Sequence, residues 1–137
     1  MERGGDATIE IVAAPWPDDA ALTALWRVAW GNDGPASFRP VLERGLSHVG
    51  AYDGDKLIGF VNVAWDGGQH GFILDTCVDP AYRRQGIASR LVARAVEVAE
   101  AEGLDWLHVD FEPQHESFYR ACGFGPTRAG LRRLGRV

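Results

Sequence analysis

The stretch RRQGIA, residues 83–88, places two arginines and a glycine directly before a helical pattern. The first turn of a helix has backbone N–H groups without intrahelical partners, and the macrodipole adds partial positive charge there. Gly86 has no side chain to keep an anion from the backbone, Ala88 keeps the next turn small, and Arg83 and Arg84 add charge. The stretch predicts a pyrophosphate site. By itself it fits a permissive glycine beside solvated arginines equally well.

Carboxylates near the C-terminus form a second group of chemically active residues. In LHVDFE, alternation along a strand places His108, Asp110 and Glu112 on one face. Carboxylates at a strand end can attract a cationic amine or accept its proton. Capping of turn N–H groups and contact with solvent is an equally good interpretation of Asp110 and Glu112.

Two other ionisable residues are interpreted as structural. Asp75 interrupts the apolar pattern FILDTCV, and a carboxylate buried in a strand needs a hydrogen-bond partner. We therefore expect a structural hydrogen bond for Asp75 in preference to catalysis. His115, at the start of a short helical segment, is expected to be a surface or capping residue.

Composition limits the class of protein. The chain has 137 residues, 46% of them hydrophobic, and a formal net charge of -5. We expect one globular domain over residues 1–137 that binds neither nucleic acid nor an anionic membrane. Cys77 and Cys122 have no metal-ligand spacing, so free thiols and a reducing compartment are expected. Without a signal-peptide pattern or a long apolar run, the chain is expected to be cytoplasmic.

Hydrophobic periodicity divides the first half of the chain into short elements. ATIEIVAA has β character, and PDDAALTALWRVAW has helical spacing from Pro17 to Gly31. SFRPVLERGL is a weaker helical segment. Two β-rich runs flank Asp53, Gly54 and Asp55, which predicts an antiparallel hairpin, and FILDTCV adds a third strand after a turn.

The second half predicts a crossover between parallel strands. From Gly86 to Glu102 the apolar residues recur with the period of an amphipathic helix, which Gly103 can cap. DWLHVDF follows as a strand, HESFYRACGF as a short helix ended by Gly123, and GLRRLGRV as a last strand. The predicted fold is an α/β domain with a mixed, mostly antiparallel central sheet flanked by helices.

Two blocks of this sequence resemble the GNAT superfamily of acyl-CoA-dependent N-acyltransferases. Residues 83–88 are similar to the family's phosphate loop, Arg/Gln-x-x-Gly-x-Gly/Ala, and the preceding VDPAY is similar to its lead-in. FYRACGF, residues 118–124, is similar to the family segment Phe-Tyr-x-x-x-Gly-Phe. The resemblance extends from about the hairpin to the end of the chain. It implies an α+β GNAT-like fold with a strand-loop-helix site for the pyrophosphate of acetyl-CoA.

The resemblance implies roles for single residues. Backbone N–H groups from Arg84 to Ala88 would hold the pyrophosphate, and Val78 would offer backbone groups to the pantetheine arm and the thioester carbonyl. The full predicted acetyl-CoA set is Cys77, Val78, Arg83, Arg84, Gln85, Gly86, Ile87, Ala88 and Ser89. Tyr119 would protonate the departing thiolate, which a phenol of pKa about 10 can do. Asp110 and Glu112 complete the predicted catalytic set, and no metal is expected.

The implied activity is acetyl transfer from acetyl-CoA to a primary amine of a small molecule or peptide, by direct attack in a ternary complex. A non-catalytic acyl-CoA-binding module is an alternative that would need neither Tyr119 nor a base. A nucleotide-binding domain is another, which would leave FYRACGF unexplained. EPQH stands where many relatives carry an asparagine shortly before the tyrosine, so the general base is left open. The choice between monomer and homodimer is also open.

Overall fold

The computed structural model describes residues 8–135. Its strands are β1 (Ile9–Ala13), β2 (Ser47–Asp53), β3 (Lys56–Trp65), β4 (His70–Val78) and β5 (Trp106–His108). Its α-helices are α1 (Asp19–Trp30), α2 (Arg39–Arg44), α3 (Ile87–Ala101) and α4 (Glu116–Ala121). The strands form one open sheet in the order β1-β2-β3-β4-β5, antiparallel except for the parallel pair of β4 and β5. The predicted fold class is confirmed.

Local signals set the ends of α1 and the first hairpin. The N–H of Ala21 donates to Asp18 Oδ1 at 2.8 Å, and Gly31 ends the helix at a φ of +79°. Both agree with the predicted helix. Gly54 turns the chain between β2 and β3 at a φ of +60°, a conformation that glycine adopts without strain.

The sheet is covered on both faces. On one face α3 buries Ile87, Leu91 and Ala95, which follow one another at intervals of four residues, against strand residues that include Val61 and Ile73. On the other face lie α1 and α2, whose buried residues Leu22, Leu25, Trp26 and Leu42 form one core cluster with the strand residues Leu57, Phe60 and Cys77. Within residues 8–135 no helix combines the length and apolarity needed to cross a membrane.

A bulge in β4 opens the sheet. Leu74 pairs with Asn62 and Cys77 pairs with Phe60, so Asp75 and Thr76 together oppose one residue of β3. Asp75 has a φ of +62°, and a bulge of this kind bends its strand. β5 pairs with β4 only from His70 to Phe72. From there to Val78 the outer edge of β4 is free of β5, and we call this opening the β4 gap (residues 73–78).

Two strand predictions are wrong. The strand DWLHVDF ends at His108, not at Phe111, and it pairs with the beginning of β4 instead of reaching Val78. The bulge bends β4 away, so backbone pairing cannot continue. Residues 130–135 of GLRRLGRV form no strand, and the last two lie outside the described residues. Leu131 is 91% exposed and Leu134 is 72% exposed, so burial does not hold this segment against the sheet.

His48 in β2 is a buried titratable side chain, only 1% exposed. Its Nε2 accepts a hydrogen bond from the backbone N–H of Trp16 at 3.0 Å, so Nδ1 carries the proton of the neutral ring. Burial lowers the pKa of His48 from 6.5 to about 4. In the folded protein the ring therefore stays mostly neutral at pH values between 6.5 and about 4.

We expect this ring to make stability fall as the pH drops from 6.5 to about 4. The unfolded chain takes up a proton that folded His48 does not. As the pH drops, this group therefore lowers the free energy of unfolding by about 1.4 kcal/mol per pH unit. Denaturant unfolding at several pH values measures the slope. The matched variant His48→Gln keeps an acceptor for Trp16 but cannot titrate, so its slope should be smaller. Equal slopes would show that His48 is not the source.

Candidate active site

The loop before α3 and the first turn of α3 border a cavity of about 250 Å³. Its lining residues are Val78, Tyr82, Arg83, Arg84, Gly86, Ile87, Ala88, Ser89 and Phe118, and we call this cavity the anion cradle. Seven of the nine residues predicted to bind acetyl-CoA are in that lining. Tyr82 and Phe118 were not predicted as lining residues, although both lie in the sequence blocks that carry the resemblance.

The first turn of α3 presents free donors to the anion cradle. No side chain from the described part of the chain caps the start of this helix. Its first ladder bond runs from the N–H of Arg90 to the carbonyl of Gly86 at 3.2 Å, so the N–H groups of Ile87, Ala88 and Ser89 have no intrahelical acceptor. Together with the macrodipole of this long helix, these donors favour an anion.

Two residues of the loop have left-handed backbone. Arg84 has a φ of +65° and Gly86 a φ of +72°, and backbone of this kind turns successive N–H groups toward one concavity. A Cβ built on Gly86 would meet no atom within 4 Å. The glycine is therefore not needed for packing. A side chain at this position would extend into open space beside the cradle.

Residues 79–82, which lead into the loop, contact the residues on either side of the β2–β3 turn. Asp79 accepts a hydrogen bond from the N–H of Ala81 at 2.9 Å, and the hydroxyl of Tyr82 donates to Asp53 at 2.5 Å. Lys56 Nζ lies 3.7 Å from Asp79 Oδ2. The hydrogen bond to Asp53 raises the pKa of Tyr82. Contacts between segments distant in sequence thus hold Tyr82 at the edge of the cradle.

Val78 has backbone groups on the free edge of β4. The N–H of Asp79 donates to the carbonyl of Ile58 in β3 at 2.7 Å. Because backbone groups alternate between the two edges of a strand, those of Val78 point away from β3 and toward the β4 gap. Val78 therefore belongs both to the β4 gap and to the lining of the anion cradle.

Cys77 and Gln85 are the two predicted acetyl-CoA contacts outside the cradle lining. The Cys77 side chain is 7% exposed and belongs to the core beneath α1. Burial, with a smaller contribution from the charge of Asp75, raises the pKa of this thiol to about 12. Cys77 therefore stays protonated at neutral pH and is not a nucleophile.

Tyr119 is held on α4 among aromatic rings. Its ring stacks on Phe111 at 5.0 Å between centroids and meets Phe118 edge-on at 4.8 Å. Phe124 completes the cluster at 5.9 Å. Because Phe118 lines the anion cradle, Tyr119 lies directly behind one wall of the site. Within residues 8–135 the ring is positioned by these contacts, and the hydroxyl makes no hydrogen bond to a described residue.

The acceptor side is not assembled as predicted. Asp110 and Glu112 are exposed and lie beyond the end of β5, so alternation within a paired strand does not orient them. Glu112 accepts a hydrogen bond from Gln114 at 2.9 Å. His108 lies with its Nε2 2.8 Å from Nδ1 of His70, at the opposite end of β4 from Val78. His108 is therefore distant from the cradle.

Asp75 also departs from its expected role. The Asp75 residue is exposed to solvent, although partial desolvation of its carboxyl raises the pKa, and no hydrogen bond or charge from the described residues contributes. The expected structural hydrogen bond is not present within residues 8–135. Sequence periodicity could not reveal this, because the bulge that repositions Asp75 depends on the register between β3 and β4.

A profile of the acetyltransferase (GNAT) family matches residues 8–124. The chain belongs to this family, and the resemblance carried by residues 83–88 and 118–124 is confirmed.

Similar proteins include a probable glucosamine 6-phosphate N-acetyltransferase 2 of Oryza sativa subsp. japonica. It is 38% identical over 58 residues, which cover 42% of this chain and 35% of that protein. The chain spans about a third of the length of the curated relatives it matches. These matches therefore concern only part of each relative.

Solved structures share the fold over nearly the whole chain. A GNAT family acetyltransferase from Streptococcus pneumoniae has a TM-score of 0.77 at 24% identity, covering 95% of this chain and 100% of that one. An aminoglycoside N-acetyltransferase in complex with CoA has a TM-score of 0.75 at 19% identity, covering 100% and 99%. At these identities the similarity establishes the fold.

Proposed function

We propose that this protein transfers an acetyl group from acetyl-CoA to a primary amine of a small molecule or peptide. The observation that carries the proposal is the anion cradle, where an uncapped helix N-terminus and two arginines meet at the end of β4. Membership of an acetyltransferase family supports the acetyl donor. The same fold accommodates CoA in an aminoglycoside N-acetyltransferase.

The anion cradle suits the pyrophosphate of acetyl-CoA. The N–H groups of residues 87–89 are donors for its oxygens, and Arg83 and Arg84 offset its charge. From there the pantetheine arm can follow the free edge of β4, where Val78 offers backbone hydrogen bonds. The thioester then lies in the β4 gap, because the gap continues the cradle along β4.

Direct attack by the amine is favoured over an acetyl-enzyme intermediate. The chain has two cysteines, and burial raises the pKa of both thiols. A protonated thiol is a poor nucleophile. The amine nitrogen therefore attacks the thioester carbonyl carbon itself. The C–N bond forms, the nitrogen releases a proton to water, the C–S bond breaks with its electron pair moving to sulfur, and Tyr119 gives a proton to the thiolate.

Ligand binding and thiol release test this proposal together. In calorimetry with acetyl-CoA, NAD and ATP, only acetyl-CoA should bind. Release of thiol from acetyl-CoA should depend on an added amine, tested with a panel of amino sugars, amino acids and peptides. Binding of acetyl-CoA without release for any amine would support the acyl-CoA-binding module. Preference for ATP or NAD would support the nucleotide-binding alternative.

Asp110 and Glu112 are proposed to attract the cationic amine toward the thioester. We expect the double variant Asp110→Asn with Glu112→Gln to raise the amine KM roughly five-fold. Exposed charge interactions are each worth under about 1 kcal/mol. Binding of acetyl-CoA, measured by calorimetry, should not change.

The matched control removes the same charge at the far end of α3, where Glu100 and Glu102 are also exposed. Glu100→Gln with Glu102→Gln should leave the amine KM at the wild-type value. An equal rise in both double variants would indicate a general charge effect. An unaltered KM in the Asp110 and Glu112 variant would remove these two residues from the acceptor site.

A further inference from the structure

One half of a sheet face is left uncovered by the helices. On that face α1 and α2 pack against residues of β3, which include Leu57 and Phe60. On β4 and β5, three large apolar side chains are exposed: Phe72 at 38%, Leu74 at 40% and Trp106 at 64%. A group of exposed large apolar side chains indicates a surface that binds a ligand or a partner.

The exposed side chains lie on one face. Ile73 belongs to the core cluster beneath α3, and side chains alternate along a strand, so Phe72 and Leu74 project to the opposite face. The ring of His108 stacks on Phe72 at 4.8 Å between centroids. Trp106 precedes His108 by two residues on β5 and therefore lies on the same face. We call Phe72, Leu74, Trp106 and His108 the exposed floor.

The exposed floor extends into the β4 gap. Leu74 and Cys77 pair with Asn62 and Phe60, which are two positions apart on β3. Leu74 and Cys77 therefore lie on the same face, although the bulge separates them. The indole of Trp30, at the end of α1, is beside the Cys77 thiol, and Trp30 is 49% exposed. Apolar surface thus continues from the floor to the gap, with Trp30 as the wall on the side of α1.

The imidazole on the exposed floor is engaged within the chain. Nε2 of His108 lies 2.8 Å from Nδ1 of His70, so one imidazole donates a hydrogen bond to the other. Among residues 8–135, the rings with a lysine or arginine over them are those of Trp16 and Tyr82, which lie outside the floor. The floor therefore offers mainly ring and aliphatic surface, which suits an apolar group better than a phosphate or a sugar hydroxyl.

We propose that the acceptor is an arylalkylamine, a primary amine joined to an aromatic ring by a short aliphatic chain, an inference that rests on the proposed function. The ring packs on Phe72 and Leu74, where burial of apolar surface and ring stacking stabilise it. Side chains two residues apart on a strand are about 7 Å apart. A linker of two or three carbons therefore carries the amino group from the floor into the β4 gap.

The charges around the β4 gap agree with an acceptor of this kind. Asp75 is exposed within the gap, and Asp110 and Glu112 are exposed just beyond the end of β5. Carboxylates in this region attract an ammonium group and repel a substrate that also carries a phosphate or a carboxylate. An amine whose other end is an uncharged ring fits both the charge and the apolar surface.

The test compares two amines that differ only in the ring, phenethylamine and ethylamine, by thiol release from acetyl-CoA. We expect the wild-type protein to have a kcat/KM for phenethylamine about ten-fold or more above that for ethylamine, because only the first amine buries a ring. Phe72→Thr with Leu74→Thr removes the apolar surface but keeps side chains that suit a strand. In this double variant the ratio of the two kcat/KM values should fall about five-fold or more.

The matched control removes exposed apolar surface elsewhere. Val12 on β1 is 37% exposed and Val41 on α2 is 40% exposed, and neither belongs to the exposed floor. Val12→Thr with Val41→Thr should keep the wild-type ratio. The ratio is independent of the amount of folded protein, so a loss of stability in either double variant does not change it.

Three results would overturn the inference. The first is a wild-type ratio near unity, and the second is a ratio that Phe72→Thr with Leu74→Thr leaves unchanged. The third is a wild-type dimer, measured by light scattering, that the same double variant converts to a monomer. That result would assign the exposed floor to contact between two copies of this chain.

Failure of the proposed function gives a different result. A wild-type protein that binds acetyl-CoA but releases no thiol with any amine would overturn the transferase activity and the acceptor class together. Thiol release with glucosamine or ethylamine, without a preference for phenethylamine, would overturn the acceptor class alone.

Discussion

Replacing Gly86 by glutamate is expected to weaken acetyl-CoA binding by about 1,000-fold or more. The new side chain would extend into open space beside the uncapped start of α3, where the pyrophosphate is proposed to bind. Its carboxylate would repel the phosphates, and like charges brought together at a binding site cost several kcal/mol. Calorimetry with acetyl-CoA measures the loss.

Gly103 supplies the matched control for this variant. It also has left-handed backbone, at a φ of +85°, and a Cβ there would meet no atom within 4 Å. It lies just after the other end of α3. Gly103→Glu should therefore lose a similar amount of stability, about 1 kcal/mol or more, and keep full affinity for acetyl-CoA. A folded Gly86→Glu protein with unchanged affinity would refute the proposed cradle.

The second large effect is expected for Tyr119→Phe, which should lower kcat by about 100-fold with little change in acetyl-CoA affinity. The hydroxyl acts on charge that develops only as the thiolate departs, so its loss affects the transition state more than the bound ground state. The ring contacts with Phe111, Phe118 and Phe124 do not involve the hydroxyl. The variant should therefore fold normally, and steady-state thiol release measures kcat.

Tyr82→Phe removes a comparable hydroxyl at the same site. Tyr82 lines the anion cradle and donates to Asp53, but no role in proton transfer is proposed for it. Its variant should bind acetyl-CoA less tightly and keep kcat near the wild-type value. If Tyr119→Phe retains full turnover with an amine for which chemistry is rate-limiting, Tyr119 has a packing role only.

The sequence alone determined the elements whose signals are local. Asp18 and Gly31 mark the ends of α1 because capping involves residues within one turn of the helix end. Asp53 and Gly54 likewise specify the hairpin between β2 and β3. The anion cradle was predictable from local sequence for the same reason, since the strand, loop and helix that form it are contiguous in the chain. That contiguity explains why seven predicted contacts line one cavity.

The tertiary structure decided how the elements meet. The length of β5 depends on whether β4 continues beside it, and the bulge at Asp75 ends that pairing. Periodicity within one strand carries no information about the register of its neighbour. Asp110 and Glu112 were therefore placed on a strand that does not extend to them, and Asp75 was assigned a structural hydrogen bond that the fold does not provide.

Local sequence also carries no information about the contacts that hold the loop before α3 in place. The contact of Tyr82 with Asp53 joins residues 29 positions apart, and neither residue type predicts the other. Asp75 is the strongest example of the difference. Its identity as a carboxylate in an apolar strand is plain from the sequence, but its left-handed backbone and its position in the β4 gap arise from pairing between β3, β4 and β5. Only chain segments brought together by folding can create that opening, because it lies where two strands separate.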